Sequence, residues 1–155
     1  MARLLVFDLD FTLWDCGGTW CDCTRPPYRG HGDAVYDADG RSISLYPDVL
    51  AILDACDERG IAMALASRTE APPWARELLT RLGIEQRFGQ QEIYPGEKTR
   101  HFARIQADSG IAYRDMAFFD DEQRNIRAVS ALGVQAIHVP TGLRWAELSQ
   151  VAGWD

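Results

Sequence analysis

The sequence predicts an α/β protein built on a doubly wound, three-layer parallel sheet. Short, continuous apolar runs at residues 4–7, 61–66 and 116–119 are typical of strands that are buried on both faces. These runs alternate along the chain with amphipathic segments of helical spacing, and this order builds parallel strands that are linked by helices. We therefore expect one sheet with helices packed on both of its faces.

Size and composition limit the class of protein. A chain of 155 residues, 46% hydrophobic and 25% charged, fits an ordinary globular protein, and we expect one domain over residues 1–155. The net charge of −7 argues against a nucleic-acid partner, because phosphate binding needs a basic face. No apolar run approaches the ~18 residues of a membrane span, so no membrane partner is expected. The first strand begins at once and leaves no room for a signal peptide, which favours a cytoplasmic location.

The segment after the first strand, at about residues 15–46, is predicted to be a flap over the end of that strand. It is long for a loop and should therefore have structure of its own. Two short β-patterns, at 34–36 and 42–45, flank the turn sequence Asp37-Ala38-Asp39-Gly40. That arrangement predicts a β-hairpin.

The rest of the chain is predicted to alternate between helices and strands. Pro47 and Pro72-Pro73 are placed to open helices, and Gly60, Gly83 and Gly133 to end them. The predicted order is a helix over 47–60, a strand at 61–66, a helix over 72–83, a strand at 91–94, a helix from Lys98 to about 109, a strand at 116–119, a helix ending at 133, a strand at 134–139, and a helix from 143 to about 151.

Polar residues fall at the predicted carboxyl ends of the strands, where open α/β sheets bind their ligands. Each has an ordinary explanation, since Ser67 suits a helix cap and the charged residues suit solvent. Together, however, the carboxylates and cations suit a hard divalent cation and a phosphoryl group. The set comprises Asp8 and Asp10, Ser67 and Arg68, Lys98 at a helix start, and Asp120 with Asp121.

In these residues the sequence resembles the haloacid dehalogenase superfamily and, within it, the magnesium-dependent phosphatase-1 family. The superfamily's four motifs are matched by Asp8-x-Asp10-x-Thr12, by Ser67, by Lys98, and by Asp120-Asp121 followed by Asn125. The narrower resemblance covers most of the chain and extends to Leu13-Trp14, Leu45-Tyr46-Pro47, Ala66-Ser67-Arg68-Thr69, Tyr94-Pro95-Gly96-x-Lys98 and Phe118-Phe119-Asp120-Asp121-Glu122.

The resemblance implies a role for each of these residues. Asp8 would be the nucleophile and form an aspartyl-phosphate, and Asp10 would act as general acid and base. Mg²⁺ would be held by Asp8, by the backbone carbonyl of Asp10 and by Asp121, with Asp120 and Asn125 in support. The phosphoryl group or substrate would contact Leu9, Ser67, Arg68 and Lys98.

The gaps between the motifs leave no room for the cap domain that most of the superfamily carries, so an open site is expected. An open site suits a bulky substrate, either a phosphoprotein or a phosphorylated sugar. Side chains in or near the flap that could contact its leaving group are Phe11, Trp14, Trp20, Arg25 and Tyr28.

The cysteines of the flap leave several hypotheses open. Cys16, Cys21, Cys23 and His31 have the ligand types and number of a structural Zn²⁺ site, and free thiols are the alternative. A similar first motif occurs in glyceryl-transferring domains of polyketide pathways. If this chain had that activity, Cys16 would carry the acyl group. The non-enzymatic alternative is a phosphate- or zinc-binding module that has lost catalysis.

Overall fold

The computed structural model describes residues 1–155 and confirms the predicted α/β class. The strands, in chain order, are β1 (Leu4–Phe7), β2 (Trp14–Asp15), β3 (Arg29–His31), β4 (Ala34–Tyr36), β5 (Ser42–Leu45), β6 (Ala62–Ser67), β7 (Gln90–Ile93), β8 (Met116–Asp120) and β9 (Gln135–His138). The helices are α1 (Val49–Glu58), α2 (Pro72–Arg81), α3 (Lys98–Ser109), α4 (Gln123–Ser130) and α5 (Trp145–Leu148).

The main sheet has five parallel strands in the order β7-β6-β1-β8-β9. The central strand β1 pairs with β6 on one side and with β8 on the other, and Phe7 is level with both Leu65 and Phe119. The carboxyl ends of these three strands therefore lie side by side.

Helices cover both faces of this sheet. All four residues of β1 are buried, and alternate residues face opposite sides, as the pleat of a strand requires. Leu5 and Phe7 join a core that includes residues of α1, α2 and α5, whereas Leu4 and Val6 join a second core with residues of α3 and α4. This arrangement explains why the strand sequences are continuously apolar.

The flap is a small antiparallel sheet in the order β2-β5-β4-β3. The predicted hairpin is confirmed, since β4 pairs with β5 across the turn at 37–41. A 3₁₀ turn at Cys21–Cys23 precedes the hairpin. The flap is joined to the main core through Val35 and Ile43, which are fully buried in the same cluster as Phe7.

Several helix boundaries differ from the prediction by a few residues, those of α1 and α5 among them. Helix α1 begins at Val49 after the N-cap Asp48, so Pro47 precedes the helix. Helix α5 is shorter than the predicted 143–151, because the N–H of Leu143 donates to the carbonyl of Thr12 and ties that residue to the turn after β1. The longest helix, α3, has 12 residues, and none of the helices meets the length and hydropathy that a membrane-spanning helix requires.

Candidate active site

A polar cavity of about 390 Å³ lies at the carboxyl ends of β1, β6 and β8. Asp8 follows β1 directly, Ser67 ends β6, and Asp120 ends β8, so the pairing of these strands brings the three side chains together. The residues around the cavity are Asp8, Asp10, Trp20, Asp22, Cys23, Ser67, Arg68, Thr69, Glu70, Lys98, Glu122, Arg124 and Asn125.

Lys98 is the buried cation of the site. Only 1% of its side chain is exposed, and its ammonium donates to Asp8 Oδ1 at 3.0 Å, to Asp120 Oδ2 at 3.0 Å and to the carbonyl of Ala66. Burial opposes the charge on Lys98, but the charges of Asp8 and Asp120 outweigh it and raise the pKa of Lys98. Lys98 is the first residue of α3, so the start of this helix is fixed against β1, β6 and β8.

Three carboxylates form the only group of potential metal-ligating side chains in the protein. Single ligand atoms from Asp8, Asp120 and Asp121 all lie within 4.8 Å of one another. One ammonium cannot neutralise three carboxylates, and two negative charges remain. Hard oxygen ligands with this excess charge fit a divalent cation such as Mg²⁺, whose ligand oxygens lie about 3–4 Å apart.

The ionisation of this group reflects that excess charge. Burial and the charge of Asp120 raise the pKa of Asp8 well above its ordinary value, while Lys98 acts in the opposite direction. Burial is also the main reason that the pKa of Asp121 is raised to about 6. A bound cation would favour the ionised form of both groups and lower both pKa values.

Asp120 and Asp121 have different surroundings. Asp120 is fully buried, and its carboxylate accepts hydrogen bonds from Lys98, from Asn125 Nδ2 at 3.0 Å and from the backbone N–H of Glu122 at 2.8 Å. The Asp121 side chain accepts none of these bonds and is only partly buried. The Asp121 carboxylate is therefore more available to bind an ion than that of Asp120. This difference is consistent with the expectation that Asp121 is a ligand and that Asp120 supports it.

Asp10 lies beside the cavity and is held at one oxygen. Its Oδ1 accepts hydrogen bonds from Trp14 Nε1 at 2.7 Å and from the backbone N–H of Cys21 at 2.8 Å. Burial raises the pKa of Asp10, and these two donors oppose the rise. A carboxyl with a raised pKa in this position suits a group that gives and takes a proton.

Three of the four residues predicted to bind a phosphoryl group line the cavity, namely Ser67, Arg68 and Lys98, whereas Leu9 does not. Ser67 is buried, and its Oγ accepts a bond from the N–H of Thr69 at 3.3 Å. Arg68 donates to Asn125 Oδ1 at 3.3 Å, and Asn125 in turn donates to Asp120, so Asn125 links a cation of the site to the acidic group. The side chain of Leu9 is buried, and its backbone N–H donates to no backbone carbonyl.

Of the flap side chains considered for the leaving group, the structure places only Trp20 at the cavity. Trp20 is 51% exposed and meets Phe11 edge to face, with ring centroids 5.6 Å apart. Trp14 and Tyr28 are buried in the core, and Arg25 pairs with Asp39 at the surface. The leaving-group role considered for Trp14 and Tyr28 was wrong, because both side chains are buried. Phe11 and Arg25 do not line the cavity, and their role in contacting the leaving group stays a prediction.

The structure does not bring the four predicted zinc ligands together. Cys16 is buried and donates weakly to Asp10 at 3.8 Å, and Cys21 hydrogen-bonds with Thr69 Oγ1 at 3.3 Å. Cys23 is exposed, and His31 lies on the exposed hairpin strand β3. The expected Zn²⁺ site is therefore not formed in this structure, because no three of these four residues bring their ligand atoms within 4.8 Å of one another.

The glyceryl-transfer alternative requires an accessible, reactive thiol at Cys16. That thiol is fully buried, and burial together with the charge of Asp10 raises its pKa. Since the thiolate is the nucleophilic form of cysteine, this position disfavours acyl transfer.

Sequence reasoning missed the structural contribution of Thr12 and Trp14. Thr12 donates to Asp8 Oδ2 at 3.1 Å, and Trp14 donates to Asp10. Each donor stands four residues after its acceptor. That spacing marks a tight turn after the strand, and it is the signal that could have identified both pairs.

Comparison with known proteins agrees with this fold. The family model described as Acid Phosphatase matches residues 1–154. The chain is 42% identical to human Magnesium-dependent phosphatase 1 over 97% of its own length and 85% of the human protein. It is also 37% identical to a HAD-like hydrolase superfamily protein of Schizosaccharomyces pombe, over 85% of this chain and 82% of that protein.

Solved structures show the same fold at lower sequence identity. A predicted phosphoglycolate phosphatase from Haemophilus somnus superposes with a TM-score of 0.67 at 18% identity, over 91% of this chain and 86% of that one. The family match and these relatives show that the chain is a phosphatase of the haloacid dehalogenase class. The chain belongs to the acid phosphatase family and, within it, to the magnesium-dependent phosphatase-1 group.

Proposed function

We propose that the chain is a Mg²⁺-dependent phosphomonoester hydrolase that acts through an aspartyl-phosphate on Asp8. The observation that carries this proposal is the environment of the Asp8 carboxylate. It borders the cavity, it is paired with Lys98 at 3.0 Å, and it shares a cluster with two further carboxylates. A nucleophile facing a phosphoryl dianion needs such charge compensation.

The residues that would hold Mg²⁺ are Asp8, Asp121 and the backbone carbonyl of Asp10. The hydrogen bonds that occupy Asp120 support its role as an orienting residue. When bound, the ion neutralises charge on the nucleophile and on the phosphoryl oxygens.

The protein's own residues account for two successive displacements. In the first, an oxygen of Asp8 attacks phosphorus while the bond to the leaving oxygen breaks and Asp10 donates a proton to that oxygen. In the second, Asp10 takes a proton from a water molecule that attacks phosphorus, and the bond to Asp8 breaks to release inorganic phosphate. Ser67, Arg68 and the N–H of Leu9 donate to the phosphoryl oxygens, and Lys98 neutralises charge beside Asp8.

The proposal is tested by release of phosphate from p-nitrophenyl phosphate with and without Mg²⁺. We expect Mg²⁺-dependent turnover that falls by at least ~10³-fold in Asp8→Asn, since this change removes the nucleophile at nearly constant shape. Asp108→Asn, an identical change at an exposed residue of α3, is the control and should keep full activity. No turnover by folded native protein with Mg²⁺ would overturn the proposal.

We further propose a bulky substrate, either a phosphoprotein or a phosphorylated sugar. Support comes from the cavity itself, which no separate domain covers and whose lining includes Trp20 and Cys23 of the flap. The test compares kcat/KM for a phosphotyrosine peptide, a sugar phosphate and free phosphotyrosine. The kcat/KM for one of the first two should exceed that for free phosphotyrosine, and equal values for all three would contradict the proposal.

The cytoplasmic location expected from the sequence stays a prediction.

A further inference from the structure

The Asp10 carboxyl is held asymmetrically. Oδ1 accepts from Trp14 Nε1 at 2.7 Å and from the Cys21 N–H at 2.8 Å, with a weak third contact from Cys16 Sγ at 3.8 Å. Oδ2 accepts no hydrogen bond within the protein, yet no buried side-chain oxygen or nitrogen is left without a partner. Oδ2 is therefore open to solvent, and Asp10 borders the phosphoryl cavity.

The turn after β1 places the Trp14 indole on Asp10. The N–H groups of Thr12, Leu13 and Trp14 all donate to the carbonyl of Leu9, at 3.1, 2.9 and 3.3 Å. Phe11 closes the turn in a left-handed conformation, with φ of 62°, and its N–H donates to the carbonyl of Trp14 at 2.8 Å. Trp14 is fully buried, so neighbouring side chains hold the indole in place.

From this geometry we infer that Trp14 is a positioning residue: its indole N–H and the Cys21 amide hold Oδ1 of Asp10 so that Oδ2 serves the leaving oxygen. The inference rests on the role proposed for Asp10. In the first displacement, the bond from Asp8 to phosphorus forms, the bond from phosphorus to the leaving oxygen breaks, and the proton on Oδ2 passes to that oxygen. Two N–H donors facing Oδ1 leave no place there for the proton.

This role has a signature that a purely structural role lacks. A nitrophenolate leaves without much help, whereas an alkoxide needs a proton at the moment the bond breaks. Misplacing the Asp10 carboxyl should therefore slow esters in proportion to the basicity of the leaving group. A general loss of folding or of phosphate binding should slow all esters equally.

The first test is Trp14→Phe, which removes the N–H and keeps an aromatic ring in the core. We measure kcat/KM, which reports the first displacement, for p-nitrophenyl phosphate, phenyl phosphate and glycerol 2-phosphate with Mg²⁺. The expected loss is at least ~10-fold for glycerol 2-phosphate and below ~3-fold for p-nitrophenyl phosphate. Trp154→Phe is the matched control, because that indole lies against Arg59 and not at the cavity; its values should not change.

A second pair of variants tests the other N–H donor to Asp10 Oδ1, so the inference can be tested even if Trp14→Phe does not fold. Cys21 is the first residue of a 3₁₀ turn and follows Trp20, whose φ of −77° and ψ of 155° are compatible with a following proline. Cys21→Pro removes the second N–H donor, whereas Cys21→Ala removes the thiol alone. The leaving-group dependence should steepen in Cys21→Pro relative to Cys21→Ala.

A double-mutant cycle shows whether Trp14 acts through Asp10. On the background of Asp10→Asn, Trp14→Phe should cause no further selective loss for glycerol 2-phosphate. An equal loss for all three esters, no loss, or the same selective loss without the Asp10 carboxyl would each overturn the inference. These results differ from failure of the proposed function, in which the native protein itself would hydrolyse none of the three.

Discussion

At the scale of single residues, the site is a cluster of negative charge that one buried lysine only partly neutralises. Lys98 bonds to Asp8 and Asp120, and Asp121 has no such partner. Repulsion among these carboxylates lowers the folding stability of the metal-free protein, and a bound cation would remove that repulsion. The residues that suit function therefore reduce stability when no cation is bound. Metal dependence should consequently be visible in unfolding as well as in catalysis.

Asp121 contributes to the pH dependence of the metal-free protein, together with Asp8 and Asp10, whose pKa values are raised as well. Its pKa is raised from 3.8 to about 6, so the folded state binds more protons than the unfolded state between these values. The stability that the protonated group provides is complete below pH ~4 and is lost as the pH rises through about 6. Thermal unfolding in a chelator should show a melting temperature that falls over this window.

Asp121→Asn tests this explanation directly. In chelator at pH 8 the variant should be more stable than the native protein by about 1 kcal/mol after solvent screening, or about 2–4 °C. The difference should vanish near pH 4, and Mg²⁺ should no longer raise the melting temperature of the variant. A variant that is less stable than the native protein in chelator at pH 8 would contradict this account.

At the scale of elements, the β-hairpin that β3 forms with β4 depends on Gly30, where any side chain would clash with the paired strand. Gly30 has φ of 85°, and a Cβ at this position would lie 1.8 Å from the carbonyl oxygen of Ala34 on the paired strand β4. Gly32 has φ of 66°, but a Cβ there would meet no atom within 4 Å. A substitution at Gly32 would therefore cause backbone strain alone, whereas a substitution at Gly30 would cause both backbone strain and a steric clash.

Gly30→Ala should therefore destabilise the protein far more than Gly32→Ala. We expect about 1 kcal/mol for Gly32→Ala, from left-handed backbone strain alone, and at least twice that for Gly30→Ala. Urea unfolding of the two variants measures the difference in the free energy of unfolding. Equal effects would show that the hairpin pairing is not maintained in solution.

The elements also show what the sequence could predict. Strands such as β1 and β8 were recognisable because full burial on both faces requires continuous apolar runs, and the start of α3 coincided with Lys98. The flap was recognisable only as a hairpin. Its inward-facing Cys16 and Cys21 depend on tertiary contacts with Asp10 and Thr69, which no local pattern reveals, and the zinc hypothesis was corrected for that reason.

At the scale of the whole molecule, flap and sheet share one core. Val35 and Ile43 of the flap are buried in the same cluster as Phe7 of β1 and Leu78 of α2. The site was predictable at this scale because parallel strands bring their carboxyl ends together, so residues as distant in sequence as Asp8, Lys98 and Asp120 had to meet. The side-chain contacts of the turn at 9–14 depended on backbone geometry that the residue types did not specify.

A shared core predicts a single cooperative unfolding transition. We expect urea curves from far-ultraviolet circular dichroism and from tryptophan fluorescence to coincide, because Trp14 of the flap and Trp74 and Trp154 outside it pack in the same core. Transitions that do not coincide would show that a part of the structure around the tryptophans unfolds separately, against the expectation of one domain over residues 1–155.

The proposed mechanism depends on transfer of the phosphoryl group to Asp8. The most direct measurement is rapid acid quenching of the enzyme during turnover of p-nitrophenyl phosphate with Mg²⁺, followed by borohydride reduction and peptide mass spectrometry. We expect homoserine at position 8, because borohydride reduces an acyl phosphate and leaves a free carboxyl unchanged. Quenched enzyme that is turning over but carries an unmodified Asp8, or a label on another residue, would contradict it.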